Sequence, residues 1–147
     1  MGSEAGLETL KKVATVAAMA GLKGRIDQGT YRMDFNTGNG RSQTVYVRET
    51  GTTPDKHHII TLFSPAVIMK KGFFAGISKD QAIGLLRLNE SSYFARFGIW
   101  ETDTKSMIVA SCDLVLDNLE PDALKVQAYY VAYAADKYEA QSGSDHF

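Results

Sequence analysis

The feature that most constrains this chain is a marked helix start that runs straight into a strand pair, Ser78 to Asp113. Ser78 with Gln81 three residues on forms a capping box, in which each side chain satisfies a helix-end N–H, and Ile77 is placed to pack on Ala82 as a staple. Ala82 to Leu88 continues the helix, Asn89 follows, and Tyr93 to Trp100 then alternates as a strand. A return strand, Ser106 to Asp113, is reached through Thr102-Asp103-Thr104-Lys105. Connections this short join antiparallel strands.

The first strand of that pair has Tyr93, Ala95, Phe97 and Ile99 on one face and Phe94, Arg96, Gly98 and Trp100 on the other. Large apolar groups therefore stand on both faces. The chain's own helices can cover one face, and a second copy is the simplest cover for the other. Phe94, Arg96 and Trp100 are accordingly the candidates for a dimer interface.

The rest of the chain is consistent with that frame. From Ser3, a candidate cap, to about Met19, the residues Leu7, Leu10, Ala14, Ala17 and Gly21 recur at helical spacing, with Gly21 or Gly24 as the stop. Thr30 to Asn36 alternates, with Tyr31, Met33 and Phe35 opposed to Arg32 and Asp34. Asn36 to Gly40 is a turn whose Asn-Gly pair suits a tight hairpin, and Ser42 to Glu49 is the return strand. His57 to Met69 forms a third strand, in which Pro65 marks an edge position or a bulge. The loop Lys70 to Gly76 carries Phe73 and Phe74, read as a lid over the core.

The last helix opens at Pro121, where a missing N–H does no harm, and buries Leu124, Ala128, Val131, Ala135 and Tyr138. Val126, Tyr129, Tyr130 and Tyr133 form a second apolar edge on it. The tail, Gln141 to Phe147, reads as frayed. The order is α-βββ-α-ββ-α, an α+β domain with helices packed on one antiparallel sheet.

The 147 residues, 44% hydrophobic and 22% charged, read as one domain over 1–147, ordered from about 4 to 141 and able to fold without metal or disulfide. A net charge of −1 with no basic block argues against nucleic acid as a partner. No apolar run reaches membrane-spanning length, and Glu4 and Glu8 stand where a signal peptide would be basic. A single cysteine, Cys112, permits no internal disulfide, so a cytoplasmic setting is expected.

Candidates for chemistry are few. His57 and His58 are adjacent on a strand and point to opposite faces, so they do not bind one metal together. His146 lies in the tail. Cys112, beside Asp113, reads as a buried structural thiol. Asp113, Asp117, Glu120 and Asp122 lack calcium-loop spacing. Thr37-Gly38-Asn39-Gly40-Arg41 lacks the Walker lysine and its helix, and the Asn89-Glu90-Ser91 sequon has no consequence in a cytoplasmic chain. A non-enzymatic protein without cofactor or metal is the expectation. The rival is a sensor or enzyme with a pocket between sheet and helices, drawing on His57 or His58 with Arg96.

The helix ending Leu85-Leu86-Arg87-Leu88-Asn89, the strand around Phe94-Ala95-Arg96-Phe97 and the long helix through Ala134-Ala135-Asp136 resemble the YbjN-like family of bacterial sensory transduction regulators. The layout over about residues 5 to 141 is also similar to type III secretion chaperones, including the Tir-chaperone group. That resemblance implies a homodimeric, non-enzymatic protein that offers apolar surface to a segment of another protein. The near-neutral charge departs from the acidic character of the secretion chaperones and favours the regulator branch. Ala14, Ala17 and Ala18 on the first helix, with Tyr129, Tyr130 and Tyr133 on the last, are the candidate partner-binding residues.

Overall fold

A computed structural model describes residues 4–70 and 77–142. The elements are α1 (Glu4–Met19), β1 (Gly24–Asp27), β2 (Thr30–Gly38), β3 (Arg41–Thr52), β4 (His58–Lys70), α2 (Lys79–Ser91), β5 (Arg96–Glu101), β6 (Lys105–Val115) and α3 (Pro121–Gln141). All strand pairs are antiparallel, in the order β1-β2-β3-β4-β6-β5. The α+β class and the sequence of helices and strands agree with the reading above, with one strand added.

That added strand is β1, only four residues long and without apolar alternation. It forms because Gln28 and Gly29, at φ 49° and 80°, make a two-residue turn that returns the chain as β2. Gly24 fits here because it has no side chain: a Cβ would stand 2.5 Å from the Arg32 carbonyl oxygen and 2.6 Å from the Tyr31 ring. The expected turn after β2 is present, with Gly38, Asn39 and Gly40 all at positive φ.

Pro65 lies beyond Phe63, where the β3–β4 ladder ends, and is paired only to β6, so it occupies a local edge as well as a bulge. The register slips between Pro65 and Val67, leaving Ala66 as the extra residue. Gln43 on β3 stabilises the slip, its Nε2 donating to the Pro65 carbonyl and to Ser64 Oγ, both at 2.9 Å.

The core lies between one sheet face and helices α1 and α3. Tyr31, Met33 and Phe35 from β2, Val45 and Val47 from β3, Ile60 and Leu62 from β4, and Ile108 and Ala110 from β6 are all buried. Leu124, Ala128, Val131 and Ala135 of α3 face them with no exposed surface, and each large side chain there stabilises the fold by roughly 2 kcal/mol. On α1 the buried face is Leu10, Val13, Val16 and Ala17, whereas Leu7 is 41% exposed. The expected stripe through Leu7 and Ala14 is thus rotated toward Val13 and Val16, which are buried where Leu7 is not.

The Ser78 half of the expected capping box is formed, its Oγ accepting from the Gln81 N–H at 3.1 Å. At the other end Asn89 takes a role that its sequence position does not announce. Its side chain donates to the Phe97 carbonyl at 3.1 Å and accepts from the Phe97 N–H at 2.7 Å. One amide thereby satisfies the outward-facing backbone of an edge strand and ties α2 to it.

The strand expected from Tyr93 begins only at Arg96. Phe94 has φ 63°, and the Ala95 N–H donates to the Tyr93 carbonyl at 2.6 Å, a γ-turn that breaks the alternation. The expected Ser3 cap, the Phe73-Phe74 lid, His146 and residues 143–147 of the tail lie outside the described residues.

Candidate functional site

The buried side of α3 is complete at Leu124, Ala128, Val131, Ala132 and Ala135, yet its apolar character continues outward. Val126, Tyr129, Tyr130 and Tyr133 are 45%, 46%, 40% and 48% exposed. These tyrosines are held by rings of their own chain. Tyr129 meets Phe35 edge-on at 6.4 Å and stacks on Tyr133 at 6.0 Å with planes 12° apart, while Tyr130 takes the edge of Phe94 at 5.3 Å. Rings fixed in this way present broad area with little rotamer freedom left to lose.

Of the expected partner-binding set, Tyr129, Tyr130, Tyr133 and Ala18 are exposed. Ala17 is fully buried and offers no contact surface, and Ala14 is half-buried against the core. The three residues assigned to a dimer interface do not share one face. The γ-turn swings Phe94 to Tyr130 on the helix side. Arg96 stays on the opposite sheet face, level with Ser111, and so does Trp100.

On that opposite face Trp100 is half-buried by its own chain. Tyr46 and Phe63, direct partners in the β3–β4 ladder, stack at 5.3 Å, and Phe63 meets Trp100 at 4.7 Å. The indole lies beside Gly98, two residues back, with Nε1 3.7 Å from where a Cβ would stand, an ordinary contact distance. Arg32 lies over Tyr46 and Arg48 over both Phe63 and Trp100.

The two histidines diverge as read. His57 Nδ1 lies 2.6 Å from Asp117 Oδ2 and its Nε2 lies 3.3 Å from Asp55. The hydrogen bond to Asp117, and then the charge of Asp55, raise the His57 pKa, while the His57 contact lowers that of Asp117. His58 instead meets Glu49 at 3.1 Å, and Glu49 also accepts from Thr9 on α1 at 2.5 Å. Neither histidine converges with Arg96: His58 stands five residues along β4 from Phe63, which is level with Arg96 through Ser111. The pocket imagined from those three residues is therefore not assembled by them. Among the described residues no group of three or more His, Cys, Asp or Glu side chains is placed to hold a metal ion.

Cys112 is buried, donates to Gln127 Oε1 at 2.9 Å, and has its pKa pushed up to about 11 by desolvation and then by Asp113. Such a thiol is a packing group and not a nucleophile at neutral pH.

One polar cluster was missed in the sequence. Arg41, just after the β2–β3 turn, donates from Nε to Asp136 at 2.8 Å and from Nη2 to Glu139 at 2.7 Å, and both acids are 7% exposed. The available signal was that Asp136 and Glu139 prolong the buried row of Ala132 and Ala135 on α3. Their partner, 95 and 98 residues upstream, could not be read from spacing.

No helix is long and apolar enough to cross a membrane among the described residues. No protein-family model matches the chain, and no curated protein does.

Proposed function

We propose that this protein is a non-enzymatic binding module that works as a homodimer and holds a segment of another polypeptide against α3. The observation that carries this reading is the outward strip of Val126, Tyr129, Tyr130 and Tyr133, exposed on a helix whose other side is already committed to the core. Contiguous apolar surface of this kind, rimmed by polar groups, favours protein contact. Lys125 and Lys137 stand beside the strip as its polar rim. The role fits the one implied by the likeness to bacterial sensory transduction regulators and, less closely, to type III secretion chaperones.

The test is a pull-down from the native cell with quantitative mass spectrometry, comparing the natural protein with Tyr129→Ser/Tyr133→Ser. The reading expects at least one polypeptide enriched by the natural protein and lost with the variant. Identical recovery by both proteins would remove α3 from the binding surface.

A further inference from the structure

The sheet face away from α1 and α3 holds an exposed cation that has no carboxylate partner among the described residues. Arg48 on β3 lies with its guanidinium carbon 5.2 Å from the centre of Phe63 and 5.0 Å from that of Trp100. Among the described residues its guanidinium makes no hydrogen bond and no ion pair. Arg32, in the same relation to Tyr46 at 4.9 Å, is by contrast already tied to Asp27 at 2.9 Å and to the Tyr46 hydroxyl at 3.0 Å. The aromatic rings thus hold the Arg48 guanidinium in place without using any of its N–H donors.

A cleft of about 420 Å³ opens beside it, lined by Arg48, Phe63, Trp100, Glu101, Thr102 and Met107. That volume lies within the range of small-ligand sites, and the lining combines apolar walls with one oriented cation. We propose that this cleft binds a small monocarboxylic acid with a flat apolar body. The carboxylate takes the guanidinium fork of Arg48, and the body lies against Trp100 and Met107.

Charge decides between anions. Among the described residues the lining holds one cation, Arg48, whose single charge a monocarboxylate balances and a phosphate dianion exceeds. A single carboxylate matches the planar fork in both charge and shape, and a guanidinium already held by stacking has less freedom to lose on binding. The site lies on the other side of the sheet from the α3 strip and stands independently of the role proposed for that strip.

Trp100 is the only tryptophan in the chain, so its emission reports on this cleft alone. Phenylacetate and its neutral isostere phenylacetamide are titrated into the natural protein and into Arg48→Met, whose side chain still shields the rings; circular dichroism checks that the variant is folded. The expected result is a saturable change with phenylacetate that weakens about tenfold or more with the amide and in Arg48→Met. An equal response to acid and amide, an unchanged response in the variant, or no saturable change up to about 10 mM phenylacetate would overturn the proposal, leaving Arg48 as a cover for the rings.

Discussion

His57 shows how a single side chain links a turn, a strand and the end of another strand. Its pKa is raised above the ordinary value of 6.5 and that of Asp117 is lowered below 3.8, mainly through the hydrogen bond between them. The signs follow from linkage. The His57 contribution to stability is fully present below pH 6.5 and is lost as pH rises through the raised folded value. The Asp117 contribution is present above 3.8 and is lost as pH falls through its depressed one. The pair is therefore most stabilising between those two values. In His57→Gln, the denaturation midpoint should fall less between about pH 6 and 8 than it does in the natural protein. Urea titrations across that range check this, and parallel pH profiles would show that the pair does not contribute. Both groups are solvent-exposed, so the effect will be small.

Between elements, the Arg41 contact does what hydrophobic packing alone does not. It fastens the tip of the β2–β3 hairpin to the last turns of α3, where the buried row passes from alanines to Asp136 and Glu139. Replacing Arg41 by Met removes the guanidinium that joins the buried Asp136 and Glu139 carboxylates. The expected loss is about 3 kcal/mol, because an unpaired buried charge costs more than the pair itself contributes. Chemical denaturation measures the loss, and a change of under about 0.5 kcal/mol would mean that the acids are satisfied elsewhere. Asn89 joins α2 to β5 in a comparable way, with an amide in place of an ion pair.

At the scale of the molecule, the two sheet faces differ in what covers them. One carries α1 and α3, and on the other, among the described residues, Arg48 lies over Phe63 and Trp100 while Val109 has no exposed surface. The apolar surplus expected from the sequence is thus partly absorbed by the chain itself at Trp100 and left outward on α3. A homodimer is the assembly proposed here, and light scattering at micromolar concentration should give twice the monomer mass of 16.1 kDa. A monomer mass at that concentration would leave the α3 strip to a different polypeptide.

The sequence by itself determined what depends on near neighbours. The fold class, the capped start of α2, the Gly38-Asn39-Gly40 turn, the Pro65 bulge and the buried row of α3 all follow from backbone preference and period, which act over a few residues. It did not reveal β1, whose four residues become a strand only because β2 lies beside them. Nor did it place Phe94, since alternation assumes an unbroken strand and the γ-turn at φ 63° reverses its side. Only the tertiary structure decided which acids meet Arg41, that Ala17 is core, and that Arg48 comes to rest over Phe63 and Trp100. Those contacts join residues far apart in the chain, and their partners are chosen by how the helices and strands pack, information that no local pattern carries.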